Sequence, residues 1–170
     1  MGKLVQVATE TVTSPVASVT LTGIDSDDVY MVAVSGVKPA SDSYPLYMRF
    51  TESGTPNTTA NYDFAYKELR ADTTFGNSGA ANFSIIDLSA STGNDTGENF
   101  NAILYIYNAN NSSEYTFCSF ENNFMVSTPV FRGRQGGAVF TQTSAVNGMQ
   151  FFFGSSVNTS AGTFTLYKVL

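Results

Sequence analysis

Apolar and polar residues alternate along this chain with the period of two that marks half-buried strands, and seldom with the spacing of an amphipathic helix. The clearest case is the closing stretch GTFTLYKVL, where Phe164 and Leu166 fall on one side and Thr163, Thr165 and Tyr167 on the other. That pattern predicts a strand paired within a sheet. Comparable runs cover Leu4 to Val7, Val16 to Thr22, Val29 to Val37, Leu46 to Glu52, Tyr62 to Leu69, Phe83 to Leu88, Phe100 to Tyr107, Tyr115 to Phe120, Phe124 to Phe131, Ala138 to Thr143 and Met149 to Phe153. Between them lie GIDSDD, SGTPNTTAN, FGNSGAAN, STGNDTGEN, NANNSSE, RGRQGG and GSSVNTSAG, whose Gly, Asn, Asp and Ser supply turns. The best helix candidate, Asp63 to Asp72, also alternates well enough to be a strand.

Many short strands without a repeat period predict an all-β, antiparallel two-sheet β-sandwich, of jelly-roll or related topology. Residues 1–15 are expected to form an N-terminal arm or edge strand, and residues 16–170 a single sandwich domain. Two runs are apolar on both faces. NAILYIYNA sets Ala102, Leu104 and Ile106 against Ile103, Tyr105 and Tyr107, and MQFFFG places Phe151, Phe152 and Phe153 in succession. A strand of this kind is either covered on both sides within its own subunit or lies against another one. Tyr105, Tyr107, Phe151 and Phe153 are therefore candidate assembly residues.

Composition narrows the chemistry. Only 13% of the residues are charged and the formal charge is −6, so the clustered Lys and Arg needed to neutralise phosphates are absent and a nucleic-acid partner is not expected. No apolar run approaches the roughly 20 residues of a membrane helix, and MGKLVQ is neither a secretory leader nor a myristoylation signal. A single cysteine, Cys118 in YTFCSF, precludes an intrachain disulfide and reads as a small buried hydrophobe. The N-x-S/T triplets at Asn57, Asn82, Asn94, Asn110, Asn111 and Asn158 read as turn chemistry in an Asn-, Ser- and Thr-rich chain.

The absence of histidine removes Ser-His-Asp and Cys-His nucleophile arrangements. Glu52, Glu68, Glu98, Glu114 and Glu121 offer carboxylates for a glycosidase-like pair, but read more simply as solvated side chains. Asp25, Asp27 and Asp28 form an acidic loop of oxygen ligands that lacks the glycine and distal glutamate of an EF-hand, so no metal is assigned to it. FRGRQGGAVF lacks the Gly-Lys-Ser/Thr of a phosphate loop and reads as a flexible turn, with Arg132 and Arg134 free to meet an acidic neighbour in an assembly. No catalytic residue and no cofactor is assigned.

Five phrases, VASVTLTGIDSDDVYMVAVSGVKPASDS, LYMRFTESGTPNTTANYDFAYK, GENFNAILYIYNANNSSEYTF, TSAVNGMQFFFGSS and SAGTFTLYKVL, together resemble β-rich virion structural proteins of tailed phages, especially marine and cyanobacterial ones. The resemblance implies a virion component, assembled in the bacterial host cytoplasm, on the capsid surface or in the tail-fibre apparatus. No coiled-coil or β-helical shaft pattern precedes Val16, which favours a capsid decoration or cement protein whose partner is the major capsid protein or another virion protein. Such a subunit is expected to form a homo-oligomer, with a trimer favoured. The stretch KLVQVATETVT, with Leu4, Val5 and Val7, is the candidate arm that adds to a neighbour's sheet edge. The alternative is a fibre-tip module recognising host glycan through SGTPNTTAN, STGNDTGEN, Tyr62 and Tyr105.

Overall fold

The computed structural model describes residues 2–170, so Met1, the first residue of the expected arm, lies outside the described residues. The alternating runs become β1 (Leu4–Val12), β2 (Val19–Thr22), β3 (Tyr30–Pro39), β4 (Leu46–Glu52), β5 (Thr55–Pro56), β6 (Tyr62–Arg70) and β7 (Gly76–Phe83). They continue as β8 (Ile86–Asp87), β9 (Phe100–Tyr107), β10 (Thr116–Val126), β11 (Val130–Phe140), β12 (Gly148–Phe153) and, after a 3-10 turn, β13 (Thr159–Val169). The fold is all-β, with two antiparallel sheets. The large sheet has the order β1-β13-β3-β9-β10-β11-β6-β7 and curls part-way into a half-barrel; the small one has the order β2-β12-β4-β5, with β8 also paired to β4.

The core lies between the sheets because each strand turns its apolar residues the same way. Val32, Leu104 and Leu166 share one row across β3, β9 and β13 and are fully buried. Aromatic contacts join the layers: the Phe151 and Phe164 rings are 5.1 Å apart, and Phe50 of the small sheet meets Phe140 at 6.1 Å and Tyr62 at 6.3 Å. Each such side chain removed from water contributes roughly 1.5–3 kcal/mol, so this layer accounts for most of the favourable free energy.

Several stretches depart from the sequence expectation. Phe124 to Phe131, expected as one strand, holds the end of β10, the turn that follows and the start of β11. RGRQGG is not a flexible turn but the middle of β11, paired on both sides, with Gly136 against Tyr66 and Phe120. Its glycines fit because a Cβ on Gly136 would come within 2.6 Å of the Tyr66 Cβ. FGNSGAAN, expected as a loop, supplies the edge strand β7 along β6. Asp63 to Asp72, weighed also as a helix, is strand β6 through Arg70, in keeping with the alternation of Tyr62 to Leu69. Within Phe83 to Leu88, by contrast, β7 ends at Phe83 and only Ile86–Asp87 forms a further strand.

Strand β13 lies inside the large sheet between β1 and β3. It carries irregular pairing around Gly162, whose φ of +128° and 2.7 Å approach to the Val37 Cα, measured from an ideal Cβ, both require glycine. Strand β1 forms one edge of the large sheet, paired to β13 from Leu4 opposite Val169 to Val12 opposite Gly162.

Candidate functional site

The outward face of the large sheet is left open by the described chain. On β9 the residues that alternate with the core point outward, leaving Ile103 48%, Tyr105 39% and Tyr107 37% exposed, beside Phe117 of β10 at 45%. The ladders arrange this face in rows that run across the strands. Tyr105, Ser119, Gly137, Ala65 and Gly79 stand opposite one another in register over β9, β10, β11, β6 and β7. Beyond Tyr105 this row carries no side chain larger than serine, so it forms the floor of a trough. Tyr107, Phe117, Val139 and Asp63 form one wall; Ile103, Glu121, Gln135, Lys67 and Asn77 form the other.

Four strand spacings make the trough about 19 Å long, and four residues along a strand set the wall rows about 14 Å apart between Cα atoms. Two hollows lie in it. One of about 420 Å³ is lined by Ile103, Tyr105, Ser119, Glu121 and Gln135; the other, about 400 Å³, by Asp63, Ala65, Phe117, Gly137 and Val139. One wall is mainly apolar and the other mainly polar. The Tyr107 Oη lies 3.2 Å from Ser119 Oγ and fixes the ring toward the floor.

On the opposite, inward side of the same strands lies a charged cluster. Arg134, only 4% exposed in its side chain, donates from Nε to Glu68 Oε2 at 3.0 Å and places Nη1 3.1 Å from Asp87 Oδ1 on β8. Its guanidinium centre sits 4.0 Å from the Tyr66 ring centroid, and its backbone N–H is accepted by Asn122 Oδ1 at 3.0 Å. Arg132 Nη1 reaches the second Glu68 oxygen at 3.4 Å. Burial raises the Asp87 carboxyl above its ordinary value, against the opposing pull of Arg134. The cluster pins the β6–β11 side of the large sheet to the small one.

The candidate residues from the sequence thus fall in four places. Tyr105 and Tyr107 are together on the open face. Arg132 and Arg134 find their carboxylates within the chain, so the acidic neighbour expected for them in an assembly is Glu68, with Asp87 for Arg134. Phe151 and Phe153 are enclosed in the core and present no surface to a partner. Their intervening residue Phe152 faces outward under the Arg49 guanidinium at 4.5 Å and edge-on to Tyr47 at 5.8 Å. Leu4, Val5 and Val7 lie on the β1 edge, Leu4 exposed and the two valines half-buried.

Tyr62, expected as a glycan contact, is fully buried and its hydroxyl donates to the Asn57 carbonyl at 3.0 Å while accepting from Phe50 N–H at 3.1 Å. The acidic loop is closed by an ammonium: Lys168 Nζ lies 2.8 Å from Asp28 Oδ2 and 3.6 Å from Asp25 Oδ1. Among the described residues no group of His, Cys, Asp or Glu side chains is placed to hold a metal ion. Glu68 and Glu121 lie on opposite faces of the large sheet and do not converge. Cys118 is buried, which pushes its thiol up to about 12.

Phe117, Ser119, Gln135, Lys67, Ala65 and Gly137 were not singled out from the sequence, since only strand register joins them, and Glu121 was considered only as a carboxylate for a catalytic pair. No protein-family model, curated protein or solved structure matches this chain.

Proposed function

We propose that this protein is a virion structural subunit of a tailed phage, a capsid decoration protein that bridges capsid subunits and raises the stability of the shell. The observation that carries the reading is the open edge of β1. Over Leu4–Val12 this strand has one ladder partner, β13, among the described residues, and the exposed Leu4 and Leu170 lie at one end of that pair. An unpaired edge with an apolar end suits strand addition by a neighbouring protein, in which main-chain hydrogen bonds supply affinity.

The strand order supports a jelly roll as the finer description of the sandwich. The orders β1-β13-β3-β9 and β2-β12-β4-β8 form two four-stranded halves, between which the chain alternates, with β5, β6–β7 and β10–β11 as additions. The resemblance of its strand-and-turn phrases to those of phage virion proteins is what suggests the setting.

Mixing the purified protein with undecorated capsids, sedimenting them and counting bound subunits tests the proposal. Saturable binding at a fixed ratio, lost on Leu4→Pro, which removes an N–H directed at the open side, while the sandwich stays folded, is the expected result. Capsids that bind no protein overturn it.

A further inference from the structure

We infer that the trough across the open face is a binding site for a neutral, linear oligosaccharide of about four sugar residues. This site is separate from the β1 edge and does not rest on the decoration reading.

Three properties of the trough point to that class of ligand. The floor residues Ser119, Gly137 and Ala65 lie on strands paired on both sides, where the backbone groups are committed to sheet ladders. A polypeptide crossing them would bury main-chain N–H and C=O groups against partners that are already paired, at a cost of roughly 1–3 kcal/mol for each one left unsatisfied. A sugar chain carries its polar groups on its rim, where hydroxyls meet side chains on one side and water on the other. The wall of Glu121, Gln135, Lys67 and Asn77 supplies carboxylate, amide and ammonium groups for those hydroxyls, and Ser119 adds one from the floor.

The second property is the other wall. Tyr107 and Phe117 offer half-exposed rings, and Tyr105 closes one end, so apolar sugar faces have surfaces to pack on. The third is dimension and charge. Wall rows about 14 Å apart leave, after their side chains, room for one extended strand of polymer and too little for a helix about 10–12 Å across. Glu121 and Asp63 outnumber Lys67 along the trough and the whole chain is at −6, so a polyanionic glycan is repelled.

The test uses the full chain, with a panel of neutral gluco-, manno-, galacto- and chito-hexaoses and two sulfated glycans, read by amide chemical-shift changes and calorimetry. A neutral hexaose should shift the amides of Tyr105, Ser119, Gln135 and Ala65. Ala65→Phe, which fills the floor from an exposed position, and Tyr105→Ala should each weaken binding by about tenfold or more. Unchanged thermal unfolding shows that both variants are folded, and unchanged capsid binding separates this site from the β1 edge. The inference is overturned if no neutral hexaose binds, if binding ignores both substitutions, or if only sulfated glycans or extended peptides occupy the trough.

Discussion

Arg134 and Glu68 stand opposite each other on β11 and β6, and the guanidinium Nε donates to the carboxylate at 3.0 Å in a site from which water is nearly excluded. Removing one member leaves the other charged and desolvated. Glu68→Gln or Arg134→Met should therefore destabilise the fold by about 3–5 kcal/mol, measured by urea unfolding. Replacing the pair together by Leu and Met should recover only part of that loss, because Asp87 then lacks Arg134 and Arg132 lacks Glu68. A cost below about 1 kcal/mol for both single variants contradicts the packing described for this cluster.

Phe151 and Tyr105 both come from strongly aromatic strands, yet one is in the core and the other on the open face. Phe151→Ala should cost about 3–5 kcal/mol through the cavity it leaves. Tyr105→Ala should change stability by less than about 0.5 kcal/mol, as surface substitutions do. Equal losses in the two variants would mean that the Tyr105 face is covered.

The Asp25 carboxyl is held below its ordinary 3.8 first by the Tyr30 hydroxyl and then by the Lys168 ammonium; Asp28 is held low first by Lys168 and then by Ser26. Both groups bind protons less readily folded than unfolded. Their contribution is present above the unfolded value of 3.8 and is lost as pH falls through the lowered folded values. Lys168 is raised above 10.5, so its contribution holds below that value and fades as pH rises through the raised one. Carboxyl carbon titration by NMR should show both aspartates below 3.8, and Lys168→Met should move them back toward it.

Cys118 faces the core from β10, with its thiol pushed up to about 12 by burial. At pH 8 the native protein should leave a disulfide reagent unreacted over hours, whereas the unfolded chain should react at once. Rapid modification without unfolding would place the residue at the surface.

Gly162 combines a positive φ with close contact to Val37. Gly162→Ala should cost about 1–3 kcal/mol from backbone strain alone, with the steric overlap added. A thermal melt indistinguishable from the parent would show that β13 relaxes there freely.

Period-two alternation made most strands and the sandwich class legible, because burial on one face of a sheet writes itself directly into the order of residues. It failed where a strand lacks apolar side chains. Gly76 to Asn82 has almost none to alternate, and β7 exists because β6 offers it a ladder. Arg132 to Gly137 carries two charges and three glycines, and becomes strand because Glu68 and Asp87 neutralise the arginines while β10 and β6 pair the backbone. Tyr105 and Tyr107 were visible as candidates since their strand has two apolar faces. Their partners in the trough come from residues 63 to 139, and register across five strands is not carried by any local run.

The placement of β13 between β1 and β3 also orders events during synthesis. Thr9 and Thr165, whose hydroxyls meet across the β1–β13 ladder, are 156 residues apart, a separation that takes on the order of ten seconds to translate. Until then β1 lacks its partner, β3 lacks one of its two neighbours, and Phe151 has no Phe164 to close against. The topology thus predicts that the large sheet closes late, when β13 enters between β1 and β3. Until β13 emerges, the nascent chain carries two adhesive edges, on β1 and on β3.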